Sequence, residues 1–151
     1  MGGRMGRTLG AIAVGVVVLG VVVITLQALS AMLFPLPAGV DPMNPVASEG
    51  FADHVATLPP TAWLLAWVSE VLGAFVGAWA AARIAGPRAA IAAGFVVALA
   101  FAGSIMNWTS FTHPIVFIVG QLAAYPLGYA MAVRLGQRSP TSPTSTPGVA
   151  A

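Results

Sequence analysis

Hydrophobic positions gather into four long blocks, at 9–34, 62–82, 89–106 and 115–133, each interrupted by at most a few uncharged polar residues and, in the second, by one acid. About 20 apolar residues cross the ~30 Å hydrocarbon layer of a bilayer as a helix, and every block approaches or exceeds that length. The pattern predicts an all-α polytopic membrane protein, a bundle of four transmembrane helices. The first block follows Arg4 and Arg7 and ends near Ala28-Leu29-Ser30, which loosely resembles a signal-peptide cleavage site. At roughly 25 residues it far exceeds the usual 7–15-residue signal core, so it reads as a retained span. The connections at 83–88 and 107–114 are short, which makes spans two and three, and three and four, antiparallel neighbours.

Composition supports this reading and narrows the chemistry. Hydrophobic residues make up 58% of the 151 and charged ones 7%, with a mean hydropathy of +0.91, whereas a soluble domain carries about a quarter charged residues. One membrane domain fills the chain and leaves no room for a further globular one. With no cysteine, disulfides, thiolate catalysis, Cys-ligated zinc and iron–sulfur clusters are excluded. All basic residues are Arg, and Ala, Gly, Val and Pro abound, which points to a GC-rich bacterial genome.

Six arginines against four acids raise the pI, yet they sit beside apolar blocks, so topology explains them better than nucleic acid does. Arg4 and Arg7 precede the first span, Arg83 and Arg88 lie between the second and third, and Arg134 and Arg138 follow the fourth. All six fall on one side of the predicted bundle. Positive charge is retained in the cytoplasm, so both termini are expected inside the bacterial inner membrane, with the 35–61 loop and the 107–114 turn outside. Trp63 and Trp108 at the outer boundary and Trp79 near the inner one suit interfacial anchors.

The outer loop contains a helix start at Asn44-Pro45, with Asn as N-cap and Pro in the first helical position. Phe51, Val55 and Leu58 then share one face, which predicts a short amphipathic helix over 45–58 lying on the outer leaflet with Glu49 and Asp53 in water. The Pro/Ser/Thr-rich tail 139–151 has no periodicity to bury and is expected to be disordered. A shift of 51 residues superposes Gly77 on Gly128, Ala81 on Ala132, Arg83 on Arg134 and Glu70 on Gln121. Two repeated helical hairpins produce such an echo, and so does chance in an Ala/Gly-rich chain.

Glu70 is the acid inside the second block, about nine residues or ~13 Å from its outer end. Placing an acid there costs on the order of 3 kcal/mol, so it should face the bundle interior. Its stripe agrees: Trp63, Trp67, Glu70, Ala74, Gly77 and Ala81 follow helical spacing, and Gly73-x-x-x-Gly77 adds the small-residue pattern of closely approaching helices. Thr25, Gln27 and Gln121 fall at nearly the same depth, with Tyr125 one turn below, which predicts an intramembrane polar layer around Glu70. Such a layer serves either as a proton- or cation-binding site or as a structural network fixing helix register. Asn107, Trp108 and His113 form a second, outward-facing polar cluster. A metal site needs about three protein ligands, and His54 alone offers another imidazole, so neither metal nor cofactor is expected. Pro126 removes a backbone bond inside the fourth span and should kink it. P-loop, GxSxG and HExxH motifs are absent.

The segments Gly39-Val40-Asp41-Pro42 and 72–86 (LGAFVGAWAAARIAG), with the stretch from Asn107 through His113-Pro114 to Ala124-Tyr125-Pro126-Leu127-Gly128, resemble a widespread, functionally unassigned group of small four-span bacterial inner-membrane proteins. The likeness runs from about Arg7 to Leu135. It implies a four-helix membrane fold and supplies no activity. Relatives in that group often carry His at the place of Glu70 and Asp-Leu at the place of Gln121-Leu122, which implies a shared polar layer rather than a shared catalytic acid.

These observations lead to the expectation of an interaction or accessory subunit without catalysis, packing on other membrane proteins through the small-residue faces of spans two and three. The rival expectation is a homo-oligomeric transporter or channel for protons, cations or small amphipathic molecules, with Glu70 as coupling acid. The expected surroundings are the lipid bilayer and other membrane chains or copies of itself, without nucleic acid.

Overall fold

The computed structural model describes residues 2–41, 44–110 and 112–138. They form α1 (Gly2–Leu33), α2 (Phe51–Thr57), α3 (Pro60–Ala85), α4 (Ala89–Ser110) and α5 (Ile115–Gln137), with single 3-10 turns at Pro45–Ala47 and Gly86–Arg88. Among the described residues there are no strands. Three helical runs are long and apolar enough to cross a membrane: Gly3–Leu33, Pro60–Ser110 and Ile115–Gln137. The middle run folds back on itself at Gly86, whose φ of +62° is a conformation that favours glycine. Exposed apolar side chains such as Leu9, Val17, Val21 and Ile24 on α1 and Val119, Leu127 and Met131 on α5 give these helices a lipid-compatible exterior. The predicted disordered tail, 139–151, lies outside the described residues.

Helix α3 touches every other long helix. Along α1 it is antiparallel and in backbone contact: a Cβ on Gly77 would stand 2.6 Å from the Gly15 carbonyl oxygen, and one on Gly73 would meet Val23. Gly73, Gly77 and Ala81 are therefore packing residues, as their spacing predicts. The face they form is occupied by α1 of the same chain, however, so it is not the free partner surface expected from sequence. Against α4, α3 closes with Ala78, Ala81, Ala82 and Ala85 facing Ala89, Ala92, Ala93 and Val96, all at 4% exposure or less. Short side chains let these backbones approach and leave the arginine-bearing half of the bundle filled by alanine.

Helix α5 runs parallel to α3, with Gly120 at Trp67, Gly128 at Phe75 and Gly136 at Ala82. It continues through Pro126 as one α-helix. Here α1 meets α3 backbone to backbone, whereas α4 meets α5 through side chains, including Tyr129 beside Gly94.

All six arginines gather at one end. Arg7 donates from Nε to the Ile84 carbonyl (2.6 Å) and Arg83 from Nη1 to the Arg138 carbonyl (2.7 Å), which ties the start of α1, the α3–α4 turn and the end of α5 together. Carbonyls left open at helix C-termini are natural partners for guanidinium groups.

At the opposite, loop end, the expected continuous helix over 45–58 is broken. A 3-10 turn covers Pro45–Ala47, and α2 begins only at Phe51, after Gly50 at φ +78°. A residue in the left-handed region cannot continue a right-handed helix. Asn44 makes no side-chain cap, and Ser48 Oγ instead accepts from the Asp41 N–H (2.9 Å). Phe51, Val55 and Leu58 do share a half-buried face, and it lines a cavity over the end of the bundle together with Phe34 and Trp63. Glu49 and Asp53 are exposed, as predicted.

Candidate functional site

The loop-end half of the bundle is organised around Glu70. Its Oε1 accepts from Asn107 Nδ2 at 2.9 Å, and its Oε2 accepts from Ser104 Oγ at 2.6 Å and from Gln121 Nε2 at 2.5 Å. The spacing explains the convergence. Ser104 and Asn107 are three apart on α4 and so share a face, while Gln121 and Tyr125 are four apart on α5. Parallel packing of α5 on α3 then brings Gln121 level with Glu70.

The donors run in one direction. Ser104 has a single hydroxyl hydrogen and gives it to Glu70, so in its 2.6 Å contact with Tyr125 the phenol is the donor. Gln121 is oriented by Trp108, whose Nε1–H donates to Gln121 Oε1 at 2.8 Å and leaves the amide Nε2 for the carboxylate. Tyr125, Ser104, Asn107, Trp108 and Gln121 thus all direct hydrogens toward Glu70. That arrangement complements a carboxylate, in which form every donor is used. Phe101 stands edge-on to both Trp108 and Tyr125, with centroids 5.9 and 5.7 Å away, and covers the network.

Of the polar layer expected from sequence, the structure unites Glu70, Gln121 and Tyr125 and leaves out Thr25 and Gln27. Thr25 is exposed and its hydroxyl donates back to the Val21 carbonyl of its own helix (2.7 Å). Gln27 is exposed and lines the loop-end cavity. Depth alone placed them in the layer, but their azimuth on α1 points elsewhere. The expected separate cluster of Asn107, Trp108 and His113 is kept only in part: Asn107 and His113 line the same two cavities, without Trp108. Asn107 and Trp108 turn inward and belong to the Glu70 network, so Trp108 is not a simple interfacial anchor. His113 packs edge-on to Trp63 with centroids 4.9 Å apart. Ser104 was missed altogether. The apolar block ends at 106, whereas α4 continues to Ser110, so Ser104, Asn107 and Trp108 form one i, i+3, i+4 polar stripe that a longer helix would have revealed.

Two cavities meet at this network. A vestibule of about 360 Å³ at the loop end is bounded by α1, the loop with α2, the start of α3, the end of α4 and His113 just before α5; its walls include Gln27, Phe51, His54, Trp63, Asn107 and His113. Beneath it, a chamber of about 30 Å³ is lined by Trp63, Ala66, Trp67, Glu70, Asn107, His113, Phe117 and Gln121. Trp63, Ala66, Asn107 and His113 belong to both linings. Near the chamber, Trp67 Nε1 is buried without a hydrogen-bond partner and lies close to Gly120. Among the described residues no three His, Asp or Glu side chains come together.

Comparisons with protein-family models, with curated proteins and with solved structures find no match to this chain.

Proposed function

We propose that the chain is a four-span protein of the bacterial inner membrane, with both termini cytoplasmic, that acts as an interaction or accessory subunit without catalysis of its own. The observation that carries this reading is the use made of Glu70: both carboxylate oxygens are taken by neutral side chains of α4 and α5. An acid bound in that way fixes the register of three helices, as a polar lock in a bundle whose other contacts are small and non-directional. The alanine-filled arginine end provides a rigid support. The clustering of all six arginines at one end favours the proposed topology, and the resemblance to small four-span membrane proteins favours four crossings. Because α1 covers the small-residue face of α3, a partner would dock on the outward faces of α1 or α5 or on the loop end.

Extraction of a tagged copy in mild detergent, native mass measurement and identification of each accompanying chain test the proposal. Stoichiometric foreign subunits support it. A clean homo-oligomer overturns it and favours the second reading, a homo-oligomeric transporter with Glu70 as coupling acid, which draws support from the cavities that lead from the loop end to the carboxylate. Proton or cation flux abolished in Glu70→Gln would then establish that second reading.

A further inference from the structure

The chamber beside Glu70 has a definite chemical character. Of the acceptors on its walls, Gln121 Oε1 takes one hydrogen bond, from Trp108, and Glu70 Oε1 takes one, from Asn107, so each keeps a lone pair and only the carboxylate oxygen is anionic. Asn107 must present its Nδ2 to the carboxylate, which leaves its Oδ1 as a further acceptor. The remaining walls are largely aromatic: Trp63, Trp67 and Phe117, with His113. An anionic oxygen and an amide oxygen in a largely aromatic, low-dielectric surrounding attract a cation that donates hydrogen bonds.

Size selects among cations. About 30 Å³ accommodates one water-sized group. Calcium and magnesium require about six or more oxygen ligands, far more than the chamber supplies, and a trimethylammonium group is several times too large. A primary ammonium fits. The vestibule above, about 360 Å³ and walled mainly by apolar residues such as Phe34, Leu36, Phe51, Val55 and Leu58, has the size and polarity of a small-molecule pocket.

We propose that the loop end of the protein is a binding site for a small organic primary amine, its ammonium group in the chamber against Glu70 and Asn107 and its apolar body in the vestibule. The route is one-sided, since the arginine end beyond Glu70 is closed by alanine packing. This site is independent of whether the chain works alone or with partners.

The test uses the tagged protein in nanodiscs, with whatever chains accompany it, titrated at neutral pH with n-butylamine, n-butanol or butyltrimethylammonium. Tryptophan fluorescence is the readout, because Trp63 and Trp67 line the chamber. Butylamine should give a saturable change, with the other two probes binding about tenfold or more weakly, the usual consequence of losing a charge-assisted hydrogen bond. Glu70→Gln should weaken butylamine by a similar factor. Ala66→Leu, which fills the neck shared by the two cavities without touching the hydrogen-bond network, should remove binding while far-UV circular dichroism stays unchanged. The proposal is overturned if butylamine gives no saturable change, if butanol binds as well, or if Ala66→Leu binds like the wild type. The wild-type probe series decides the question even should Glu70→Gln fail to fold.

Discussion

Replacing Gly77 with alanine should force α1 away from α3. The new Cβ would stand 2.6 Å from the Gly15 carbonyl oxygen and 2.8 Å from Leu19 Cβ, where ordinary contact begins at 3.4 Å. The oxygen belongs to a helix backbone and cannot rotate aside, so the helices must part by a good fraction of an ångström. A gap of 0.5–1 Å forfeits roughly a quarter to a half of each dispersion contact, and overpacking of this kind costs about 1–3 kcal/mol. Within a bilayer no hydrophobic driving force between helices compensates. The alanine also brings a helix-propensity gain of up to ~1 kcal/mol, so Gly20→Ala is the matched control: nothing lies within 4 Å of its would-be Cβ. Equilibrium unfolding in mixed micelles with increasing dodecyl sulfate, followed by tryptophan fluorescence, should place Gly77→Ala about 1–3 kcal/mol below Gly20→Ala. Gly15 presses on the same contact from the other side, its Cβ 2.7 Å from the Gly77 oxygen. One retreat of α1 relieves both clashes, so the double substitution should cost less than the sum of the two. Equal stability of Gly77→Ala and Gly20→Ala, or strict additivity of the pair, would refute the backbone-contact argument.

Gln121→Leu removes one of the two donors to Glu70 Oε2 and leaves the Trp108 Nε1–H unpaired, and should cost about 2–5 kcal/mol in the same unfolding assay. Glu70→Gln should stay within about 1 kcal/mol of wild type, because Asn107 can turn its amide to accept from the new one; a collapse of the fold would contradict that. Gly86→Ala places a side chain at φ +62°, ψ −115°, outside the regions open to L-residues, and should lower stability by about 1–3 kcal/mol, measurable as a shifted unfolding midpoint. Since the chain lacks cysteine, single cysteines report topology directly. In intact cells a membrane-impermeant maleimide should label Glu49→Cys and reach Gln137→Cys only after permeabilisation, and the reverse pattern would invert the proposed orientation.

Much of the architecture was legible in the chain because its causes are local. Apolar block length predicts the long helices, and the short turns predict their antiparallel order. The gathering of arginines at one end follows from the same segmentation, since each pair flanks a block boundary. Gly73, Gly77 and Ala81 were identified as packing residues because removing side chains is what lets helices touch, wherever the partner comes from. Glu70 was singled out because an acid in an apolar block has few tolerable environments.

Its partners could not be read in the same way. A hydrogen bond between helices depends on azimuth and register, and these follow from how the backbones pack, not from depth below a block boundary. Thr25 and Gln27 had the right depth and the wrong azimuth. Ser104 was a small polar residue in an apolar block, indistinguishable by composition from one that bonds back to its own helix, and Asn107 and Trp108 looked like a turn because hydropathy fell before the helix ended. In the loop, Gly50 broke the expected helix because the left-handed backbone it adopts carries no hydropathy signal. Hydropathy and local spacing are enough to specify a helical, lipid-compatible chain with one carboxylate inside an apolar block to satisfy. That α1 covers the glycine face of α3, that α4 and α5 supply the donors, and that two cavities meet at Glu70 emerges with the packing of the helices, because each of these depends on contacts between residues far apart in the chain.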